Sequence, residues 1–113
     1  METKIAPPVT AADTETHQEH IPMFNVVLLD DNTHTYEYVV EMLQKLFMHS
    51  EEQAYRHALQ VDVTGRTVVI TCGLPQAEFG RDQIHAYGAD PRMPESTGSM
   101  RAILEPATGS ADD

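Results

Sequence analysis

A run of β-branched and apolar side chains, Phe24, Val26, Val27, Leu28 and Leu29, is cut off by Asp30, Asp31 and Asn32. This pattern predicts a buried strand that runs into a turn. Beyond it, Val39, Met42, Leu43, Leu46 and Phe47 recur at the spacing of one helical face, so residues 33–47 read as an amphipathic helix. Thr33 or Thr35 can cap its start, and Glu37 suits the positive first turn. Ser50-Glu51-Glu52-Gln53 is a capping box that opens a second helix. Its buried side is expected to hold Ala54, Ala58 and Val61, with Tyr55 and Leu59 beside them, until Thr64-Gly65 ends it. Residues 66–71, RTVVIT, predict a strand. Pro75 opens a third helix in its first turn, with Ala77, Gly80, Ile84 and Tyr87 on one face and Gly88 as its stop. Residues 89–99 read as a loop and residues 100–105, MRAILE, as a last strand.

The order strand, helix, helix, strand, helix, strand predicts an α+β domain, with helices packed on one face of a small sheet. Residues 1–22, with adjacent prolines and no apolar periodicity, and residues 107–113 read as disordered tails around a single core domain at 23–106. A length of 113 residues suits one such domain. The net charge is -11, and the acidic residues are spread over both tails and the core. Such a surface repels phosphate backbones and anionic lipids, so no nucleic-acid or membrane partner is expected and self-association is disfavoured, which points to a monomer. Cys72 is the only cysteine, so there is no disulfide framework and no thiolate cluster. That usage, with no export signal or spanning stretch in the sequence, predicts a cytoplasmic protein.

The chemistry on offer is sparse. Gly-rich phosphate loops, GxGxxG and GxSxG are absent, and no cofactor signature appears. His17 and His20 have the spacing of one helical turn but lie in the polar tail, while His49 and His57 lack further ligands, so no metal site is expected. Cys72 has no base beside it and reads as a small packed residue. Asp30 and Asp31 could act as acid and base, yet paired acids after a strand more often build the turn itself. These acids, with Asn32 and the later Asp62, would instead suit an ammonium group if the fold gathers them beside Tyr36, Val39, Ala58, Val61 and Met100. An ammonium carries three donors, and its burial requires an acceptor for each. That is the chemistry of a peptide N-terminus.

The segments FNVVLLDDNTHTYEYVVEMLQKLF, SEEQAYRHALQVDVTGR and SMRAILEPA, in that order over residues 22–106, resemble the ClpS family of adaptor proteins. The resemblance implies a three-stranded antiparallel sheet packed by three helices, with a mobile N-terminal extension. It implies a non-enzymatic protein that holds substrates by a free α-amine and a hydrophobic first side chain. Such an adaptor delivers them to a Clp AAA+ unfoldase of ClpA or ClpC type and its protease. The other reading keeps the fold for a different peptide or protein ligand, without preference for an amine.

The pocket carries over position by position. Asp30, Asp31 and Asn32 stand where the family has Asn-Asp-Asp, and Asp62 stands at the pocket histidine; these would hold the amine. His34 replaces a Thr, Tyr36 and Ala58 replace Met, Val39 and Val61 keep their type, and Met100 replaces a Leu. These six would line the side-chain cavity. Loss of the gate Met at Ala58 enlarges that cavity, while Tyr36 and His34 partly refill it. The docking Glu and Lys of the family fall on Pro75 and Gly80, with Glu78 and Arg81 close by as the candidates for that role.

Overall fold

Residues 21–107 are described in a computed structural model of the chain. The tails expected at 1–22 and 107–113 fall almost entirely outside the described residues, as do His17 and His20. β1 (Met23–Leu29) is the central strand, flanked by β2 (Arg66–Gly73) and β3 (Arg101–Pro106), both antiparallel to it. Helices α1 (Tyr36–Phe47), α2 (Glu51–Thr64) and α3 (Leu74–His85) cover one face, so the expected β-α-α-β-α-β order is the observed one.

Strand alternation explains the layering. Val26 and Leu28 of β1 and Ala102 of β3 join Val39, Met42, Leu43, Ala54, Ala58, Ala77 and Ile84 in one buried cluster. A bulge in β2 opposite Val26 and Val27 lets the consecutive Val69 and Ile70 both pack against that cluster. The carbonyl freed at Val69 accepts from His49 Nε2 at 2.9 Å. On the opposite face Arg66 bridges to Glu105 at 2.8 Å, diagonally across Val27, which is fully buried there. At the other edge of the sheet the Ala102 amide donates to His85 Nε2, so each edge strand has a main-chain group bound by a histidine rather than left open.

Thr35, not Thr33, caps α1, its hydroxyl accepting from the Tyr38 amide. The capping box at Ser50 and Gln53 forms in both directions. Tyr55 and Leu59 depart from expectation, being 51% and 46% exposed. The buried side of α2 is a narrow stripe of Ala54, Ala58 and Val61, and the larger side chains beside it are turned outward. α3 stops at His85, one turn before Gly88. The reason is tertiary: Tyr87 packs edge-on against Tyr38, whose hydroxyl donates to the Gly88 carbonyl at 2.5 Å. The outer strands are also displaced slightly, β2 reaching Gly73 and β3 starting at Arg101.

Residues 88–99 form a loop that is organised around one carboxylate. Asp90, 1% exposed, accepts from the Thr35 amide (2.7 Å) and hydroxyl (2.8 Å) with Oδ2, and from the Arg92 amide (2.9 Å) with Oδ1. Its own amide is bound by Ser96 Oγ at 2.9 Å. Burial alone would raise the Asp90 pKa, but the hydrogen bonds from Thr35 and Arg92 outweigh it and hold the carboxyl below the usual range. A depressed carboxyl stabilises the fold at neutral pH, and that stabilisation is lost as pH falls through its folded value. Asp90→Ala orphans the Thr35 and Arg92 donors and is expected to cost about 2–4 kcal/mol in urea denaturation. In the same measurement the wild type loses stability below pH 4 more steeply than Asp90→Asn.

Candidate functional site

β1 delivers Asp30 to a corner fixed by main chain alone. Its amide donates to the carbonyl of Gly65 at 3.0 Å, and Gly65 adopts φ 91° to end α2. That bond sets the acidic turn beside Asp62, in the last turn of α2. The turn is then closed by Asp31, whose Oδ1 accepts from the Thr33 amide at 2.9 Å and from His34 Nδ1 at 2.7 Å. The other ring nitrogen of His34 lies 2.7 Å from the Gly98 carbonyl. Thr33 Oγ1 and Ser96 Oγ also approach Nδ1 and Nε2, at 3.2 and 3.3 Å, so each ring nitrogen has hydrogen-bond partners. The His34 side chain is only 2% exposed, which removes it from the ordinary surface of a turn.

A cleft of about 200 Å³ opens between this turn and the two helices. Every residue expected to bind the amine or line the cavity faces it: Asp30, Asp31, Asn32 and Asp62, and His34, Tyr36, Val39, Ala58, Val61 and Met100. Thr35 joins them, a residue the sequence reading gave only a capping role. Val39, Ala58, Val61 and Met100 are buried and make the apolar part of the lining. Tyr36 and His34 do not close the cleft. His34 is drawn toward Asp31 and Gly98, and the Tyr36 hydroxyl donates to Asp62 Oδ2 at 2.6 Å.

The carboxylates differ in character. Burial and then the nearby charge of Asp62 raise the Asp30 pKa, so the ionised pair repels. Asp31 goes the other way: burial would push it up, but the His34 and Thr33 hydrogen bonds hold it below the usual carboxylate range. The phenol of Tyr36 is pushed up to about 12, chiefly by its hydrogen bond to Asp62. The second oxygens of Asp31 and Asp62, with the side chains of Asp30 and Asn32, are the acceptors that remain at the mouth.

Glu78 and Arg81 lie on α3 and are not part of this cleft; Arg81 Nε pairs with Asp82 at 3.1 Å. Phe79 beside them is 65% exposed. Sequence reasoning missed the residues that steady His34 and Asp31 from behind, namely Asp90, Ser96 and the Gly98 carbonyl. The only signals there were Gly88, Pro91, Pro94 and Gly98, which mark turns without saying what they hold. Cys72 is half-buried and its thiol is pushed up by burial, the opposite of a reactive thiolate. Among the described residues no group of three or more His, Cys, Asp or Glu side chains is placed to hold a metal ion, and no helix is long and apolar enough to cross a membrane.

The Tyr36 bond makes an optical prediction. A phenol with a raised pKa keeps its bond to Asp62 through neutral pH and loses it only as pH rises through about 12. In Asp62→Asn this ionisation is expected to move down toward the ordinary tyrosine value of about 10, followed by phenolate absorbance. A titration unchanged by the substitution would dissociate Tyr36 from Asp62.

The chain matches the sequence model of the family described as ATP-dependent Clp protease adaptor protein ClpS over residues 19–94. Among curated relatives, the ClpS adapter protein of a Synechococcus sp. strain is 30% identical over 79 residues, covering 69% of this chain and 87% of its own. That of Nautilia profundicola is 28% identical over 83 residues, covering 74% of this chain and 80% of its own. The fold is similar to that of Agrobacterium tumefaciens ClpS2, solved bound to L-phenylalaninamide, with a TM-score of 0.66 at 23% identity over 77% of this chain and 99% of that one. With the family pattern running through β1, the acidic turn, all three helices and β2, the chain belongs to the ClpS family of Clp protease adaptors.

Proposed function

We propose that this chain is a non-enzymatic, cytoplasmic adaptor that binds the free α-amine and hydrophobic first side chain of a polypeptide and presents it to a ClpA- or ClpC-type unfoldase. The observation that carries this reading is the asymmetry of the cleft. Its mouth gathers Asp30, Asp31, Asn32 and Asp62, and its interior is walled by Val39, Ala58, Val61 and Met100. An ammonium next to an apolar side chain satisfies both halves. It also relieves the repulsion from Asp62 that adds to burial in raising the Asp30 pKa, a gain no neutral ligand provides. The related fold of ClpS2 was solved with L-phenylalaninamide, itself a free amine beside an aromatic side chain.

The roles divide accordingly. Asp30, Asn32 and the free oxygen of Asp62 accept from the ammonium, and Asp31, held by His34, contributes negative potential that persists into mild acid. Ala58 leaves room in the cavity where a longer side chain would stand. The outer surface of α3 is the docking side: Phe79 is the exposed apolar anchor, flanked by Glu78 and Arg81.

Three expectations follow for peptides read by fluorescence anisotropy. A free-amine peptide beginning with Leu or Phe binds and its N-acetylated form does not; equal binding of the two would replace this reading with a cleft for a ligand lacking an amine. Asp30→Asn weakens the free-amine peptide by roughly 10- to 150-fold, the loss of one charge-assisted hydrogen bond. Affinity peaks at intermediate pH, falling above about pH 8 as the α-amine deprotonates and falling in acid as Asp30, with its raised pKa, takes up a proton. Docking is separable from binding. Phe79→Ala combined with Arg81→Glu is expected to abolish co-sedimentation with the unfoldase while leaving peptide affinity unchanged.

A further inference from the structure

His49, just before α2, and His57, within it, both reach the edge strand β2, and their ring centroids are 5.0 Å apart. His49 Nε2 lies 2.9 Å from the Val69 carbonyl, which can only accept, so that nitrogen carries the ring proton. His57 Nδ1 lies 2.8 Å from Thr67 Oγ1, whose own proton goes to Gln60 Oε1 at 2.5 Å. The hydroxyl therefore accepts from Nδ1. A neutral imidazole with one protonated nitrogen keeps a lone pair on the other, here Nδ1 of His49 and Nε2 of His57. Neither of these atoms has a hydrogen-bond partner among the described residues. Both residues are half-buried rather than sealed in the core, so a small ion reaches them.

A fixed N–H on the far side of the ring is what orients a metal-binding histidine. The spacing agrees. With a metal–nitrogen bond of about 2.1 Å an ion stands about 3.2 Å from each ring centre, and centroids 5.0 Å apart then subtend roughly 100° at it, close to the tetrahedral angle that zinc adopts. We propose that His49 Nδ1 and His57 Nε2 are the protein ligands of an open tetrahedral site for a cation of the Zn²⁺ class, with water in the remaining positions. The spacing of the two histidines in the sequence showed only that a third ligand is lacking; the fold adds their common approach to β2 and the tautomer of each. Thr67 and the Val69 carbonyl are the positioning groups. His49 precedes the Ser50 cap, and His57 is the neighbour of Ala58 in the cleft lining, so an ion here ties the α1–α2 turn to the body of α2. Mg²⁺ and Ca²⁺ prefer oxygen donors and are not held by two imidazoles.

The test is calorimetric titration of Zn²⁺ into the full chain carrying His17→Ala/His20→Ala, which removes the other closely spaced histidine pair. One Zn²⁺ per chain is expected to bind and Mg²⁺ is not, and His49→Ala or His57→Ala is expected to abolish saturable binding. Thr67→Val keeps both ligands but frees the His57 tautomer, and is expected to weaken Zn²⁺ roughly 10-fold, whereas Thr67→Ser retains it. Because these residues also pack on β2, the ring nitrogens are read directly in the chain that keeps them. Long-range ¹H–¹⁵N spectra are expected to show His49 Nδ1 and His57 Nε2 moving on addition of Zn²⁺ while the other two nitrogens stay protonated. Absence of Zn²⁺ binding, binding that survives His57→Ala, or ring nitrogens unmoved by Zn²⁺ overturns the site. Equal binding of Mg²⁺ also overturns it, assigning the ion to the acidic surface.

Discussion

One buried carboxylate ties the helical layer to the long loop that follows α3. Asp90 would be costly inside the fold if left alone, since an isolated charge loses several kcal/mol of hydration. It is retained because main-chain and hydroxyl donors of Thr35 and Arg92 converge on it. Those same bonds supply what the start of α1 lacks, acceptors for its first free amides, and place a negative charge at the positive end of the helix. The loop carried by Asp90 then presents the Gly98 carbonyl to His34, and His34 in turn holds Asp31. The charge distribution at the cleft mouth thus depends on a residue that does not line the cleft.

A second constraint is made of main chain only. The bond from the Asp30 amide to the Gly65 carbonyl joins the end of the central strand to the end of α2. Gly65 reaches this geometry at positive φ, where a side chain would be strained. Asp30 and Asp62 are consequently brought together without any attraction between them, and their mutual repulsion is held in place by the fold. A site that is electrostatically unfavourable by itself discriminates strongly in favour of a cation, because occupancy by a neutral group leaves the repulsion in place.

The element order was legible because each element has local signals that agree with its packing. The capping box at Ser50, the stripe from Val39 to Phe47 and the β-branched run at Val26 all point one way. The discrepancies come from contacts distant in sequence. α3 ends early because Tyr38, on α1, binds the Gly88 carbonyl. Tyr55 and Leu59 are exposed because the buried stripe of α2 is confined to Ala54, Ala58 and Val61, a width that periodicity does not measure. At the cleft, the residue types could be read from the chain, but the burial of His34 and the Tyr36–Asp62 bond depend on Gly98 and on the crossing of α1 with α2.

The side chains around the cleft are intelligible on the same physical basis. Main-chain bonds and the Asp90 loop fix the mouth, so the acids and the amide that project into it do not have to hold the backbone in place. His34 is the exception. Its buried ring needs a partner at each nitrogen, and it finds them in Asp31 and Gly98. Tyr36 likewise finds a strong acceptor for its hydroxyl in Asp62. These two aromatic residues therefore belong with Asp31 and Asp62 as matched pairs. The two pairs differ in consequence: removing Asp31 strips a partner from a His34 ring that is 2% exposed, whereas Asp62, at the exposed mouth, meets water when the Tyr36 hydroxyl is removed.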